Sequence, residues 1–227
     1  MAKKIYLGKT KQTAPGRART GPAQQVRIIG GQWKRSTLPV LSAEGLRPTP
    51  DRVRETVFNW LNFLLDGAWG QVACLDLFAG SGALGFEAAS RGAARVLMVE
   101  ENTPAVRQLE AIKEKLHADN VSALRGDALS VAQHMASQVG GSAGLFNLIF
   151  LDPPYHQGWL EKMLPVCQRL LAAKGIIYVE SEQALECEAR PDWLAGWDIV
   201  RECRAGLVFY HLLQRTIENQ DGAAYQA

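Results

Sequence analysis

No apolar run in this 227-residue chain approaches the roughly 20 residues that a membrane-spanning helix needs. The opening residues, Met1-Ala2-Lys3-Lys4, lead only into polar sequence and predict no secretion segment. A cytoplasmic protein away from any membrane is the expectation. Cysteine is scarce: Cys74, Cys167, Cys187 and Cys203 form no C-x-x-C and pair with no histidine. They read as reduced packing residues, with neither a disulfide frame nor zinc. His117, His134, His156 and His211 are equally scattered, so no metal site is expected, and His156 beside Tyr155 is expected to face solvent. Acids are missing from the first 43 residues, whereas residues 1–35 hold nine Lys or Arg. The overall charge of +2 therefore hides a body of about −7 behind a basic arm, which suits a polyanionic partner, a solvated tail being the plainer alternative. Gly, Pro, Ala, Gln and Thr dominate residues 8–25, a composition expected to be disordered. There is no internal repeat.

What is present is ample core material, 47% apolar, arranged as alternating strands and helices. Strands are expected at 72–78, 94–99, 121–125, 147–151 and 175–180, with helices near 82–91, 103–117, 128–139 and 158–172. That alternation implies a parallel sheet covered on both faces. Trp197–Cys203, Ala205-Gly206 and Leu207–Leu213 then read as two tightly joined strands, hence an antiparallel closure. The domain division that follows is an arm at 1–25, a hairpin and helix at 26–66, an α/β body at 67–213 and a flexible tail at 214–227.

The apolar run Leu148–Leu151 delivers Asp152-Pro153-Pro154-Tyr155 to one sheet edge. Two prolines cannot continue the strand, so the backbone leaves with fixed φ and without N–H donors. A carboxylate, free carbonyls and an aromatic ring suit a planar group bearing N–H donors, such as the exocyclic amine of a nucleobase. Upstream, a strand through Asp76 enters Gly80-Ser81-Gly82-Ala83-Leu84-Gly85, and Glu100 follows twenty residues after Gly80. This satisfies the dinucleotide fingerprint, so a nicotinamide oxidoreductase must be weighed. Asp76 argues against it, because like charges in a cleft repel on a scale of roughly 4 kcal/mol at 4 Å. S-adenosylmethionine, a cation without phosphates, has no such conflict. Glu100 would accept from its ribose hydroxyls, and Asp127, after the next strand, from its adenine amine. Asp76, Glu100, Asp127 and Asp152 all end consecutive strands, and such ends share one crevice in an open α/β sheet. That agreement is the strongest signal in the sequence.

Ahead of this body, Val26–Arg35 reads as two short strands around Gly30-Gly31, carrying Arg27, Trp33, Lys34 and Arg35. Charge mixed with a stacking ring suits RNA, although Trp33 equally fits a packing anchor. Thr49 is the expected N-cap of a following helix, with Pro50 at its first position and Asp51 in its first turn. Arg47, Arg52 and Arg54 at its start suit a cofactor carboxylate, an RNA phosphate or ordinary surface ion pairs.

Taken together, Arg27-Ile28-Ile29-Gly30-Gly31, Arg47-Pro48-Thr49, Asp51–Glu55, Asp76–Gly85 and Asp152–Tyr155 resemble the RsmD family of class I S-adenosylmethionine-dependent methyltransferases. The resemblance spans about residues 26–213. It implies a Rossmann-like α/β fold with a seven-stranded, mostly parallel sheet whose last strand is antiparallel. It further implies transfer of a methyl group to the N2 amine of a guanine in 16S ribosomal RNA, naked or within a partly assembled subunit, by a monomer. The cofactor set it implies is Asp76, Phe78, Gly80, Ser81, Gly82, Glu100, Asp127 and Ala128. The catalytic set is Asp152, Pro153, Pro154 and Tyr155, and the RNA set is Arg27, Trp33, Lys34, Arg35, Arg47, Arg52 and Arg54. An adenine-N6 DNA methyltransferase uses the same Asp-Pro-Pro-Tyr, but this chain has no room for a target-recognition insert. A non-catalytic RNA-binding protein is supported only by the basic arm.

Overall fold

The computed structural model describes residues 25–40, 49–140, 145–185 and 190–216. The basic arm and the end of the tail lie outside them, as do Arg47 and Cys187. Two boundaries move: Gln25 opens the first strand, and Gln214 and Arg215 close the last, so neither belongs to an arm or a tail.

The body is a seven-stranded sheet built from β3 (Ala73–Asp76), β4 (Arg95–Glu100), β5 (Val121–Arg125), β6 (Phe146–Leu151), β7 (Leu171–Ser181), β8 (Trp197–Ala205) and β9 (Val208–Arg215). The order across the sheet is β5-β4-β3-β6-β7-β9-β8, with β3 to β7 parallel and β9 antiparallel to both its neighbours. The expected fold is what forms.

The strand sequences are continuous apolar runs because both faces are buried. Cys74, Leu148, Phe150, Ile176 and Tyr178 point into one core cluster with α1 (Asp51–Leu64), α2 (Ala83–Ser90) and α3 (Thr103–Leu116). Leu75, Ile149, Leu151, Ile177 and Val179 point into the other, against α4 (Ala128–Gln138) and α5 (Trp159–Leu170). The chain runs from β3 out to β4 and β5, then returns to place β6 on the other side of β3. The switch point therefore lies between the carboxyl ends of β3 and β6, where Asp76 and Asp152 sit.

The N-terminal segment differs from its expected hairpin. β1 (Gln25–Arg27) pairs antiparallel with β2 (Thr37–Pro39), and residues 30–35 are turns between them. Those turns bond to α2. The buried Glu87 carboxylate accepts from the backbone N–H of Ile29 (2.6 Å) and Gly30 (2.9 Å). Ser90 Oγ accepts from Trp33 N–H and donates to the Gly30 carbonyl. Gly31 has φ of +73°, and a Cβ there would stand 1.8 Å from the Ser90 carbonyl oxygen, so only glycine fits.

Arg54 is the second correction. It is fully buried, not poised for RNA. Its guanidinium donates to the carbonyls of Thr49 (3.3 Å) and Arg27 (2.8 Å) and to Asp51 (2.7 Å), and its Nη1 lies 3.8 Å from Glu87. Thr49 is the third: α1 begins after Pro50 with no side-chain cap, and the Thr49 hydroxyl points elsewhere.

Candidate functional site

Parallel strands bring their carboxyl ends to one edge, and a cavity of about 630 Å³ opens there. Phe78, Gly80, Glu100, Ala128 and Asp152 to Tyr155 line it, so the catalytic tetrapeptide and half of the expected cofactor set share one wall. Of the glycine turn, Gly80 lines the cavity. Gly82, at φ of +78°, precedes α2, and a Cβ would meet Leu109 and Phe86 at 2.6 Å. Glu100 is held rigid at the end of β4: one oxygen accepts from Gly80 N–H and the other from Asn102 N–H, both at 2.8 Å. Glu101 lies beside it on the wall.

Asp76, Ser81, Gly82 and Asp127 are not on that wall. Asp76 is buried behind the turn, accepting from Gly85 N–H at 3.1 Å. Burial is the largest influence on its carboxyl, opposed by backbone N–H donors from Gly85 and Phe78 and reinforced by Glu100; the result is pushed up to about 7. Asp127 caps α4 by accepting from Ser130 N–H at 2.8 Å, and hydrogen bonding from the Ser130 side chain and backbone holds its carboxyl below the usual range. Its Oδ1 serves the helix end, and its neighbours Gly126 and Ala128 line the cavity.

Sequence reading missed two residues. Glu180, buried near the end of β7, accepts from the hydroxyls of Tyr178 (2.6 Å), Thr49 (2.9 Å) and Tyr155 (3.2 Å). The same Thr49 hydroxyl lies 3.2 Å from Asp152 Oδ2. Glu180 follows the apolar run Ile176–Val179, so the rule that found the other strand-end acids points to it as well. Burial first, then the charges of Glu180 and Asp76, hold the Asp152 carboxyl well above its ordinary range. Burial, then the charges of Glu180 and Asp152, also raise the Tyr155 hydroxyl, which stays neutral and a donor. Among the described residues, no cationic side chain forms an ion pair with Asp76, Asp152 or Glu180. An acid-walled cavity without a protein cation fits a cationic ligand bearing hydroxyls and a flat ring, which is the chemistry of S-adenosylmethionine.

The candidate RNA residues fall into two kinds. Lys34, Arg35 and Arg52 are exposed, and Arg27 is exposed in an ion pair with Asp51 at 2.9 Å. Trp33 is half-buried, packed against the core with the rest of the residue exposed. His156 faces solvent as expected, beside Glu182. No cluster of metal-ligating side chains occurs among the described residues, nor any helix long and apolar enough to cross a membrane.

Residues 26–214 match the family described as conserved hypothetical protein 95. The chain is 40% identical over 201 residues to ribosomal RNA small subunit methyltransferase D of Escherichia coli strain K12, covering 88% of this chain and 94% of that one. It is 38% identical to the Haemophilus influenzae protein of the same name, over 84% of this chain and 94% of the relative. Among solved structures, a putative methyltransferase from Escherichia coli superposes with a TM-score of 0.68 at 41% identity, covering 86% of this chain and 100% of the other.

Proposed function

We infer the function of this chain from its family: it belongs to the RsmD methyltransferases, the family described as conserved hypothetical protein 95. It is an S-adenosylmethionine-dependent enzyme, and its proposed reaction is methylation of small-subunit (16S) ribosomal RNA on the N2 amine of a guanine. The observation that carries the reading is Asp152-Pro153-Pro154-Tyr155 leaving β6 on the wall of an acid-lined cavity whose carboxylates pair with no cation among the described residues.

When bound, S-adenosylmethionine supplies a methyl group already activated by its sulfonium, so this chain has to bind, align and accept a proton. Glu100 is the acceptor proposed for the ribose hydroxyls, with Phe78 and Ala128 walling the ring. Asp152 and the Pro153 carbonyl are the acceptors proposed for the two N–H bonds of the amine. Drawing on those hydrogens concentrates electron density on nitrogen as the new bond forms, which favours the transition state over the ground state. Tyr155 offers the ring on which a base turned out of its stack would lie. Alignment of this kind supplies about 7–11 kcal/mol in well-oriented reactions. Arg27, Lys34, Arg35 and Arg52 are the proposed phosphate contacts, and Arg47 and the basic arm extend that charge along the chain. The enzyme is proposed to act in the cytoplasm as a monomer.

The test incubates the purified protein with labelled S-adenosylmethionine and either naked 16S RNA or partly assembled subunits, then analyses the nucleosides. Label on N2-methylguanosine is expected. Label on adenine, or on DNA alone, contradicts the proposal.

A further inference from the structure

We propose that Asp152, Thr49 and Glu180 form a one-proton carboxyl pair, which gives up its proton when a positively charged methyl donor binds and recovers it from the methylated amine. The inference rests on the methyl-transfer reading and adds Glu180 and Thr49 as positioning residues.

The geometry is specific. The Thr49 hydroxyl has one hydrogen but stands within bonding distance of two carboxyl oxygens, 2.9 Å from Glu180 Oε1 and 3.2 Å from Asp152 Oδ2. One contact is its own O–H donated to a carboxylate; the other needs a proton on the acid, donated to the hydroxyl oxygen. Glu180 already accepts from Tyr178 and Tyr155, so it is the natural anion of the pair, and Asp152 is the member that carries the proton. Two carboxylates this close in a buried site cannot both stay ionised without a cation. Among the described residues, the groups around them supply none. Asp76 faces Asp152 from β3, Tyr178 lies on β7, and Tyr155 and Glu182 stand at the rim, while Glu100 from β4 acts on Asp76.

A positive sulfur near this pair makes the doubly ionised state favourable and expels the proton to solvent. In the transfer itself the N–C bond forms and the S–C bond breaks with its electron pair to sulfur. The amine is left with one positive charge and an extra proton, which passes to Asp152 and is shared with Glu180 through Thr49. Charge balances: the proton that the reaction generates overall is the one released on binding.

The test measures protons exchanged when S-adenosylmethionine or S-adenosylhomocysteine binds, by calorimetry in buffers of different ionisation enthalpy near neutral pH. The two ligands differ in the sulfonium charge, so subtracting one from the other removes what they share. The wild type is expected to release more protons with the sulfonium ligand. Glu180→Gln, which keeps the acceptor oxygen and leaves Asp76 in place, is expected to lose most of that difference while still binding. Asp152→Asn is the second variant and is expected to do the same. An unchanged difference in either variant overturns the pair, even if affinity or activity falls, because that is the signature of a merely structural role. Uptake of neither ligand by the wild type sinks the methyl-transfer reading itself, and the pair with it.

Discussion

Two buried clusters of charge sit on the same α1-facing side of the sheet and are built on opposite terms. Around Glu87, the charges lie beside opposite charges: Arg54 lies 3.8 Å away, Arg91 donates at 2.8 Å, and two backbone N–H groups donate as well. That cluster fastens the N-terminal turn and α1 to α2. At the carboxyl edge, Asp76, Asp152 and Glu180 have hydroxyls, backbone donors and one another, but no cation among the described residues. A compensated buried charge is a structural joint, and an uncompensated one is a site waiting for a ligand.

The sharpest way to break this contrast is to remove an acid from each cluster. Asp152→Ala is expected to drop methyl transfer to background while S-adenosylmethionine binding survives, measured by single-turnover label transfer and calorimetry. Glu87→Ala is expected to do the reverse. It takes the shared carboxylate from Arg54 and Arg91 and the acceptor from the Ile29 and Gly30 N–H groups, and should cost about 3–5 kcal/mol of stability, read by denaturant unfolding. If Glu87→Ala is neutral in stability, the two clusters do not differ as argued.

Asp76 sharpens the comparison through pH. Its folded-state carboxyl lies near 7 against an ordinary 3.8, so the folded protein holds that proton more tightly than the unfolded chain does. Stability should therefore fall as pH rises from 3.8 to about 7, by about 1.4 kcal/mol for each pH unit crossed, and level off above. Asp152 adds to the same slope. Asp76→Asn is expected to flatten it and to leave the free protein more stable than wild type at pH 8, while weakening uptake of the cationic ligand. The smallest effect belongs to the surface: Arg27→Ala breaks an exposed pair with Asp51 and should change stability by at most about 0.5 kcal/mol, whereas RNA affinity at low salt should fall.

The parallel sheet was legible because buried strands are written as short apolar runs separated by amphipathic helices; their order across the sheet, with β6 returning beside β3, was not. The strand-end acids Asp76, Glu100 and Asp152 were legible for the same reason. Glu180 obeys the identical rule but carries no proline or glycine signature to draw attention to it. Thr49 before Pro50 is ordinary helix-start chemistry, and nothing local reveals a hydroxyl bonded to residues 103 and 131 positions away. Arg54 shows how a charge misleads: it lies on the stripe of Phe58 and Leu61 that faces the core, and its spacing foretold burial better than its type foretold exposure. The hairpin slipped because Gly31 and the turns after it are fixed by Glu87 and Ser90 on α2, contacts made nearly 60 residues away.

The central claim is that the carboxyl edge of this sheet accepts a positively charged methyl donor and refuses a pyrophosphate. Titrating the purified protein with S-adenosylmethionine and, separately, with NADH tests it directly. Saturable binding of the first and none of the second is the expected result; binding of NADH in preference to S-adenosylmethionine would contradict the account.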